Sequence, residues 1–434
     1  MIRSMVSDIE FQQEMSVKAR PVLLLMVYEC MPDRGPEAHA GWERVLQAGR
    51  DFEVHAIVGA ESFAAIEGYR QPHAIPGAVR FHTPQEDTLY RLFRRMPGLP
   101  AENSLAYRHW QRLAYQLALE LHREFRFSLV HQVNASDFRE PGTMWRLGIP
   151  FVWGPVGGTE SFPTTFLAGL PVAEHIRQRV RNMGNRLALR TRRVKTAGKR
   201  ASAVLAANST SQSEFERAFR RPIELLSNTA LDSVRRSETA KFRAPGPLNL
   251  LWSGEFTAGK ALPLLLEAVA NLGRDVEYEL HILGDGPLEV EWKALAARLG
   301  VAARCSFLGA GRPGEDVEEL DWAHLFVSTS LREGSDIGVL QALGHGVPVM
   351  CFAHQGSGDI VTSSCGIKVP VTHPGHAIAA MASSIRTLAQ DRTRLLQLSA
   401  GAYDRARHYL WSENGARVSS IYRSLVLAGR SDRS

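Results

Sequence analysis

The arrangement of apolar residues constrains this chain more than any other feature. Thirteen short apolar runs alternate with longer helix-like stretches. In the first half they are "PVLLLMVY", "FEVHAIVG", "AVRFHT", "FSLVHQV", "PFVWGP", "AVLAAN" and "PIELLSN". In the second half they are "LNLLWSG", "YELHILGDG", "RCSFLGA", "HLFVSTS", "PVMCF" and "GIKVPV". Several are apolar almost throughout, as strands covered on both faces must be. The stretches between them, such as "LPLLLEAVANLG" and "LEVEWKALAARLG", are amphipathic. Alternation of this kind specifies an α/β fold with parallel, doubly wound sheets. Thirteen strands are too many for one open sheet, and "SETAKFRAPGPLN" makes a polar, Pro/Gly-containing break near the middle. The expected organisation is two Rossmann-like domains, residues 1–243 and 244–412, facing a crevice. Ligands of such sheets bind beyond the carboxyl ends of the strands, so the loops after the strands are where chemistry is sought.

Composition narrows the function classes. The chain has 434 residues, 44% hydrophobic and 22% charged, the profile of a globular protein of two domains or more. A net charge of +6 is too diffuse to argue for nucleic acid. The cysteines at 30, 305, 351 and 365 form no CxxC pair and read as buried free thiols, which suits a reducing cytoplasm. The first twenty residues lack the apolar core of a signal peptide. The first apolar run has eight residues, whereas a bilayer-spanning helix needs about twenty.

Several loops carry candidate chemistry. In "LREGSDIGVLQALGHGVPV" (Leu331 to Val349), Glu333 lies beside a glycine just before an expected helix from about Ile337 to His345. Ser335 or Asp336 is the expected N-cap, and the helix start offers free N–H groups and partial positive charge to a phosphate. Gln341 lies one turn on and can border the same pocket. In "LLWSGEFTAGKALPLLLEA", Lys260 stands in a loop with Gly254 and Gly259 and can hold a diphosphate as a point charge. It is not a P-loop, because Ala261 stands where GxxxxGK[ST] requires a hydroxyl. "GAGRPG" (Gly309 to Gly314) fits GxGxxG, but Pro313 and the following acids would set carboxylates against a pyrophosphate. "DRGPEAHAGW" and "FVWGPVGGTE" permit close backbone approach to a ligand. His131 ends the strand-like "FSLVH" and is a candidate catalytic group. Arg177 to Arg200 holds ten Lys/Arg and no acid, a surface suited to anionic lipid or a phosphorylated acceptor. It has no aromatic residue on which a base could stack.

Taken together, "EGSDIGVLQALGHGVPV", "SGEFTAGKALPLLLEA" and "LHILGDGP", with "RGPEAHAGW" and "IPFVWGPVGG", resemble retaining glycosyltransferases of the GT-B fold. They are similar to the group-one (family four) set and to its bacterial polysaccharide-biosynthesis subgroup. The resemblance covers about residues 20–425, and it implies that residues 413–434 form a last helix returning to the first domain. It implies that the second domain binds a nucleotide-diphospho-sugar as co-substrate, with no other cofactor and no metal. Glu333 would touch the transferred sugar, Lys260 the diphosphate, and the backbone at Ser335, Asp336 and Ile337 the phosphates. Gln341, in place of a second glutamate, would meet the ribose; Gly284 and Leu308 would line the nucleoside pocket, and Gly254 would stand with Lys260 among the donor-binding residues. Glu255 replaces an arginine usual in that family. Near the reaction centre and acceptor the resemblance implies His131, Gly35, Glu37, Gly41 and Gly157. The implied partner is a glycan or lipid-linked oligosaccharide, in exopolysaccharide or cell-surface polysaccharide synthesis, on the cytoplasmic side of the membrane. The rival readings are a sugar-nucleotide epimerase of the same architecture and a degenerate, non-catalytic homologue.

Overall fold

The computed structural model describes residues 20–69, 75–95, 104–236, 238–273, 276–311 and 315–431. The amino-terminal stretch and the last three residues of "GAGRPG" therefore lie outside the described residues. All thirteen expected runs form strands. The first sheet contains β1 (Val22–Val27), β2 (Glu53–Val58), β3 (Val79–His82), β4 (Leu129–Asn134), β5 (Phe151–Val156), β6 (Ala203–Ala206) and β7 (Glu224–Leu225). Their order is β3-β2-β1-β4-β5-β6-β7. The second contains β8 (Leu248–Ser253), β9 (Tyr278–Leu283), β10 (Cys305–Gly309), β11 (Leu325–Val327), β12 (Val349–Phe352) and β13 (Gly366–Val369), in the order β10-β9-β8-β11-β12-β13. The strand of each sheet that comes first in sequence has the second on one side and the fourth on the other. That reversal is the doubly wound switch point.

The expected boundary after residue 243 falls between the two sheets, but the compact units divide elsewhere. One unit comprises residues 1–134, 142–152 and 415–434; the other comprises 135–141 and 153–414. Hydrogen bonds explain why residues 153–243 join the second sheet. Asn208 donates to the Gly334 carbonyl, Ser209 to Asp359, and Gln355 to the Ser161 carbonyl.

Within the first unit, β1 pairs residue by residue with β2, Val22 opposite Glu53 through Val27 opposite Val58. Leu23 to Val27 are wholly buried, as a strand covered on both faces requires. The helix Gly35–Asp51 packs tightly on this sheet at Gly41, where an added Cβ would lie 2.1 Å from the Glu29 carbonyl oxygen. The helix Trp411–Ser431 contributes Tyr422 to the same core, its ring edge-on to Phe52 at 5.7 Å.

In the second unit the six-stranded sheet separates two cores by simple alternation. Leu248, Leu250 and Trp252 of β8 enter one cluster with Leu325, Val327, Met350 and Phe352. Leu251 enters the other with Phe326, Val349 and Cys351. Period-2 alternation thus fills both faces of a central strand. The four cysteines are free; Cys30, Cys351 and Cys365 are buried, and burial pushes the thiols of Cys30 and Cys351 far up, that of half-buried Cys305 to about 11.

Candidate active site

The switch point of the second sheet lies between β8 and β11, so the loops after these two strands define the candidate site. The loop after β8 runs into the helix Leu262–Ala270, whose Pro263 suits a first turn lacking N–H partners. Ala261 takes a left-handed conformation (φ 46°) at its N-cap and turns the chain out of the Lys260 loop. Thr329, just after β11, accepts from the Trp252 indole at 2.8 Å and donates to the Lys260 carbonyl at 2.6 Å. Leu331 N–H donates to the Gly259 carbonyl at 2.8 Å. The two loops are therefore sewn together by backbone and side-chain bonds.

This brings Lys260 Nζ within 2.5 Å of Glu333 Oε2, although 73 residues separate them. Both side chains keep about a quarter or a fifth of their surface exposed. Burial raises the Glu333 pKa, and nearby Asp336 adds to the rise, outweighing the attraction of Lys260. For Lys260 burial acts downward, but Asp336, Glu333 and Glu255 together hold its pKa above the usual lysine range. The lysine stays cationic, and the carboxylate beside it is the strained partner. A ligand phosphate can take over part of the role of the carboxylates around Lys260.

The helix Ile337–Gly344 begins beside this pair. Asp336 caps it, accepting from Val339 N–H at 3.3 Å through one carboxylate oxygen. The other oxygen accepts from Ser328 and Ser357 hydroxyls at 2.7 and 2.9 Å. Asp336 is thus turned inward, with both carboxylate oxygens held by hydrogen bonds. The backbone N–H groups of Ser335, Asp336 and Ile337 make no hydrogen bond among the described residues. They are the orphan donors that a helix start leaves available.

Sequence reasoning overlooked the layer that holds Glu333. Glu160 is buried, accepts from Asn208 Nδ2 at 2.6 Å and Ser211 Oγ at 2.8 Å, and from Gly158 N–H at 2.9 Å. Asn208 passes its second amide hydrogen to the Gly334 carbonyl at 3.0 Å. Gln355, left-handed at φ 54°, accepts from Glu333 N–H at 2.8 Å. Gly356 admits the Gly334 carbonyl where a Cβ would stand 2.3 Å away. The adjacent Arg332 donates to Gln178 at 2.5 Å, and burial, reinforced by Arg181, brings its pKa down to about 10. A signal for Gln355 was present: it opens the helix Gln355–Ile360 after β12, at a carboxyl strand end. Glu160 ends the quoted "GPVGGTE" and was passed over for its glycines.

The other expected residues divide. Gly254 lies under the lysine stem, a Cβ there meeting Lys260 Cδ at 3.3 Å. Gly284, at φ 139°, admits the Gly254 carbonyl where a Cβ would be 2.0 Å away. Gly157 lies beside Glu160. Gln341 is half-buried on its helix, and its side chain makes no hydrogen bond among the described residues. Leu308 is half-buried on β10, two strands from β8. Gly35 and Glu37 stand in the first turn of the helix Gly35–Asp51 in the first unit.

Two expectations need correction. His131 is not at a strand end: it is third of six residues in β4, wholly buried, with Nδ1 2.5 Å from the Tyr422 hydroxyl. It is a core residue rather than a catalytic one, because no reactant reaches a fully enclosed ring. Gly41 is a packing glycine, since the Glu29 backbone occupies the space its missing side chain leaves.

A cavity of about 520 Å³ adjoins the Lys260 loop, lined among others by Glu255, Thr257, Gly259, Leu331, Arg332 and Trp292. Glu255 is exposed.

Known proteins resemble parts of this chain in sequence and the whole of it in fold. Residues 247–391, which carry the second sheet and the Lys260–Glu333 pair, match the family model "Glycosyl transferases group 1". A D-inositol 3-phosphate glycosyltransferase of Corynebacterium kroppenstedtii is 27% identical over 209 residues, 45% of this chain and 46% of that protein. D-inositol 3-phosphate glycosyltransferase 1 of Catenulispora acidiphila is 30% identical over 195 residues, 42% of this chain and 45% of its own length. The chain thus spans about half the length of the curated relatives it matches. Among solved structures, HepE of Anabaena in complex with UDP and glucose superposes with a TM-score of 0.58 at 16% identity, over 93% of this chain and 100% of that one. Sucrose-phosphate synthase of Thermosynechococcus elongatus gives 0.63 at 14%, over 94% and 100%. WaaG, a glycosyltransferase involved in lipopolysaccharide biosynthesis, gives 0.55 at 15%, over 92% and 99%. At such identities the likeness establishes the fold, which is GT-B.

Proposed function

We propose that this chain, which carries a group 1 glycosyl transferase domain over residues 247–391 on a GT-B fold, moves a sugar from a nucleotide-diphospho-sugar to a glycan or lipid-linked acceptor. The anomeric configuration is retained, and the product enters exopolysaccharide or cell-surface polysaccharide synthesis on the cytoplasmic side of the membrane. One observation carries the reading: Lys260 and Glu333 meet at 2.5 Å at the switch point of the second sheet, beside a helix start.

In the reaction, the bond from the anomeric carbon to the diphosphate breaks, and the diphosphate leaves with the electron pair. An acceptor hydroxyl forms the new bond and passes its proton to the departing diphosphate. Charge therefore grows on the diphosphate, where Lys260 and the free N–H groups of Ser335 to Ile337 stabilise it. Fixed donors of this kind typically change rates by about 10²–10³. Glu333 orients the sugar hydroxyls. Gln341 meets the ribose through neutral hydrogen bonds, weaker than those of a carboxylate.

Because UDP and glucose occupy the solved HepE complex, UDP-hexoses head the donor screen. The test is thermal shift with nucleotide sugars, then product analysis on the best donor. Release of nucleoside diphosphate together with a glycosylated acceptor supports the reading. An isomerised sugar indicates an epimerase. Glu255 and the neutral Gln341 favour a second reading, a binding homologue without turnover; stabilisation by the donor with no product is its signature.

A further inference from the structure

The helix Val172–Arg190 is amphipathic in the reverse of the usual sense. Gln178, Asn182, Asn185 and Leu189 are its buried residues. At about 100° per residue they fall within an arc of about 60°. Val172, Ile176, Val180, Met183 and Leu187 fall within about 80° on the opposite side. Each of these five apolar side chains is more than half exposed, from 56% to 76%. The polar face is satisfied where it docks. Asn182 exchanges two hydrogen bonds with the Phe162 backbone, both 2.9 Å. Asn185 donates to the Glu160 carbonyl at 3.3 Å, and Gln178 accepts from Arg332. The helix is thus fixed with its apolar stripe outward, the face an ordinary surface helix would bury.

Charge identifies what covers the stripe. Arg179 and Arg186 flank it on one side and Arg177 on the other, Arg190 stands at its carboxyl end, and all four are exposed. The next helix, Arg192–Arg200, turns Arg192, Lys199 and Arg200 outward, while Arg193 pairs with buried Glu140. Residues 172–200 hold ten Lys/Arg and one acid, Glu174. A second copy of the chain would set arginines against arginines around the paired stripes. No described helix is long and apolar enough to cross a membrane.

We infer that the helix Val172–Arg190 lies in the surface of an anionic bilayer, its Val172–Ile176–Val180–Met183–Leu187 stripe among the acyl chains and its arginines among the phosphates. An apolar stripe with basic flanks is the chemistry of an interfacial helix. The inference stands independently of sugar transfer, and its test uses no nucleotide sugar.

The experiment is cosedimentation of the full chain with vesicles of 30% phosphatidylglycerol in phosphatidylcholine, and of phosphatidylcholine alone. The expected result is binding to the anionic vesicles at least tenfold stronger than to the neutral ones, weakening as salt rises. Ile176→Glu/Val180→Glu lowers that binding at least tenfold with an unchanged far-ultraviolet spectrum. Val290→Glu, another exposed apolar position, leaves it unchanged. Should the glutamate pair misfold, Ile176→Ser/Met183→Ser replaces it with the same expectation. The inference is overturned if the wild type ignores anionic vesicles or if folded stripe variants bind as the wild type does. It is equally overturned if the stripe variants convert a dimer to a monomer in sedimentation without lipid, which assigns the stripe to a second copy.

Discussion

At the scale of single residues, the account rests on side chains whose roles separate by variant. Glu333→Ala removes the group that orients the sugar and leaves Lys260 beside free N–H groups. Sugar transfer falls at least about 10²-fold, while the thermal midpoint stays close to that of the wild type. A rate unchanged in a steady-state assay removes Glu333 from the site. Glu160 behaves differently, because its carboxylate is buried and accepts three hydrogen bonds. Glu160→Ala strands the partners Asn208, Ser211 and Gly158, at about 3 kcal/mol of stability, measurable by urea unfolding. Lys260 and Glu333 were legible because each sits in a loop directly after a recognisable strand. Glu160 and Gln355 were not, because what makes them matter is hydrogen bonding to residues far along the chain. Gln355, for instance, bonds Ser161, 194 positions away.

At the scale of elements, the loops that frame the site depend on backbones packed against each other. Gly284 is left-handed and admits the Gly254 carbonyl. Gly284→Ala therefore displaces the Lys260 loop, and donor-induced thermal stabilisation is lost; an undiminished shift would show that the loop tolerates the move. Beneath the sheet, His324 is pinned as a neutral ring between Asn249 N–H at 3.0 Å and the Lys241 carbonyl at 2.9 Å. Burial, with Arg392 adding to it, lowers its pKa to about 4. The ring's folded pKa is depressed, so its contribution is complete above pH 6.5, the usual histidine value. As pH falls toward 4 the unfolded chain takes up a proton that the folded ring refuses. Stability then drops by roughly 3 kcal/mol from this group. His324→Gln flattens that part of the stability profile measured by denaturant unfolding between pH 7 and 4; an identical profile assigns the acid sensitivity to other groups. The strands themselves were readable, since burial on both faces writes β1 and β8 as apolar runs. The run Arg177 to Arg200 is legible in the sequence as a basic surface suited to anionic lipid, but the apolar stripe of the helix Val172–Arg190 is not, because which of its faces is buried is decided by partners such as Phe162 and Arg332.

At the scale of the molecule, the order of each sheet places the strand that comes first in sequence at a switch point, and the second sheet sets Lys260 and Glu333 there. The alternation of strand and helix foretold that architecture. The grouping of residues 153–243 with the second sheet could not be foretold, as it follows from side-chain bonds such as Asn208 to Gly334 and Ser209 to Asp359. The central claim is that this switch point binds a nucleotide-diphospho-sugar. Titration calorimetry with UDP-glucose and the other common nucleotide sugars, on the wild type and on Lys260→Ala, tests it most directly. The account predicts saturable binding of one donor to the wild type and at least tenfold weaker binding to folded Lys260→Ala. Equal affinity for both proteins, or no binding of any nucleotide sugar to the wild type, contradicts it.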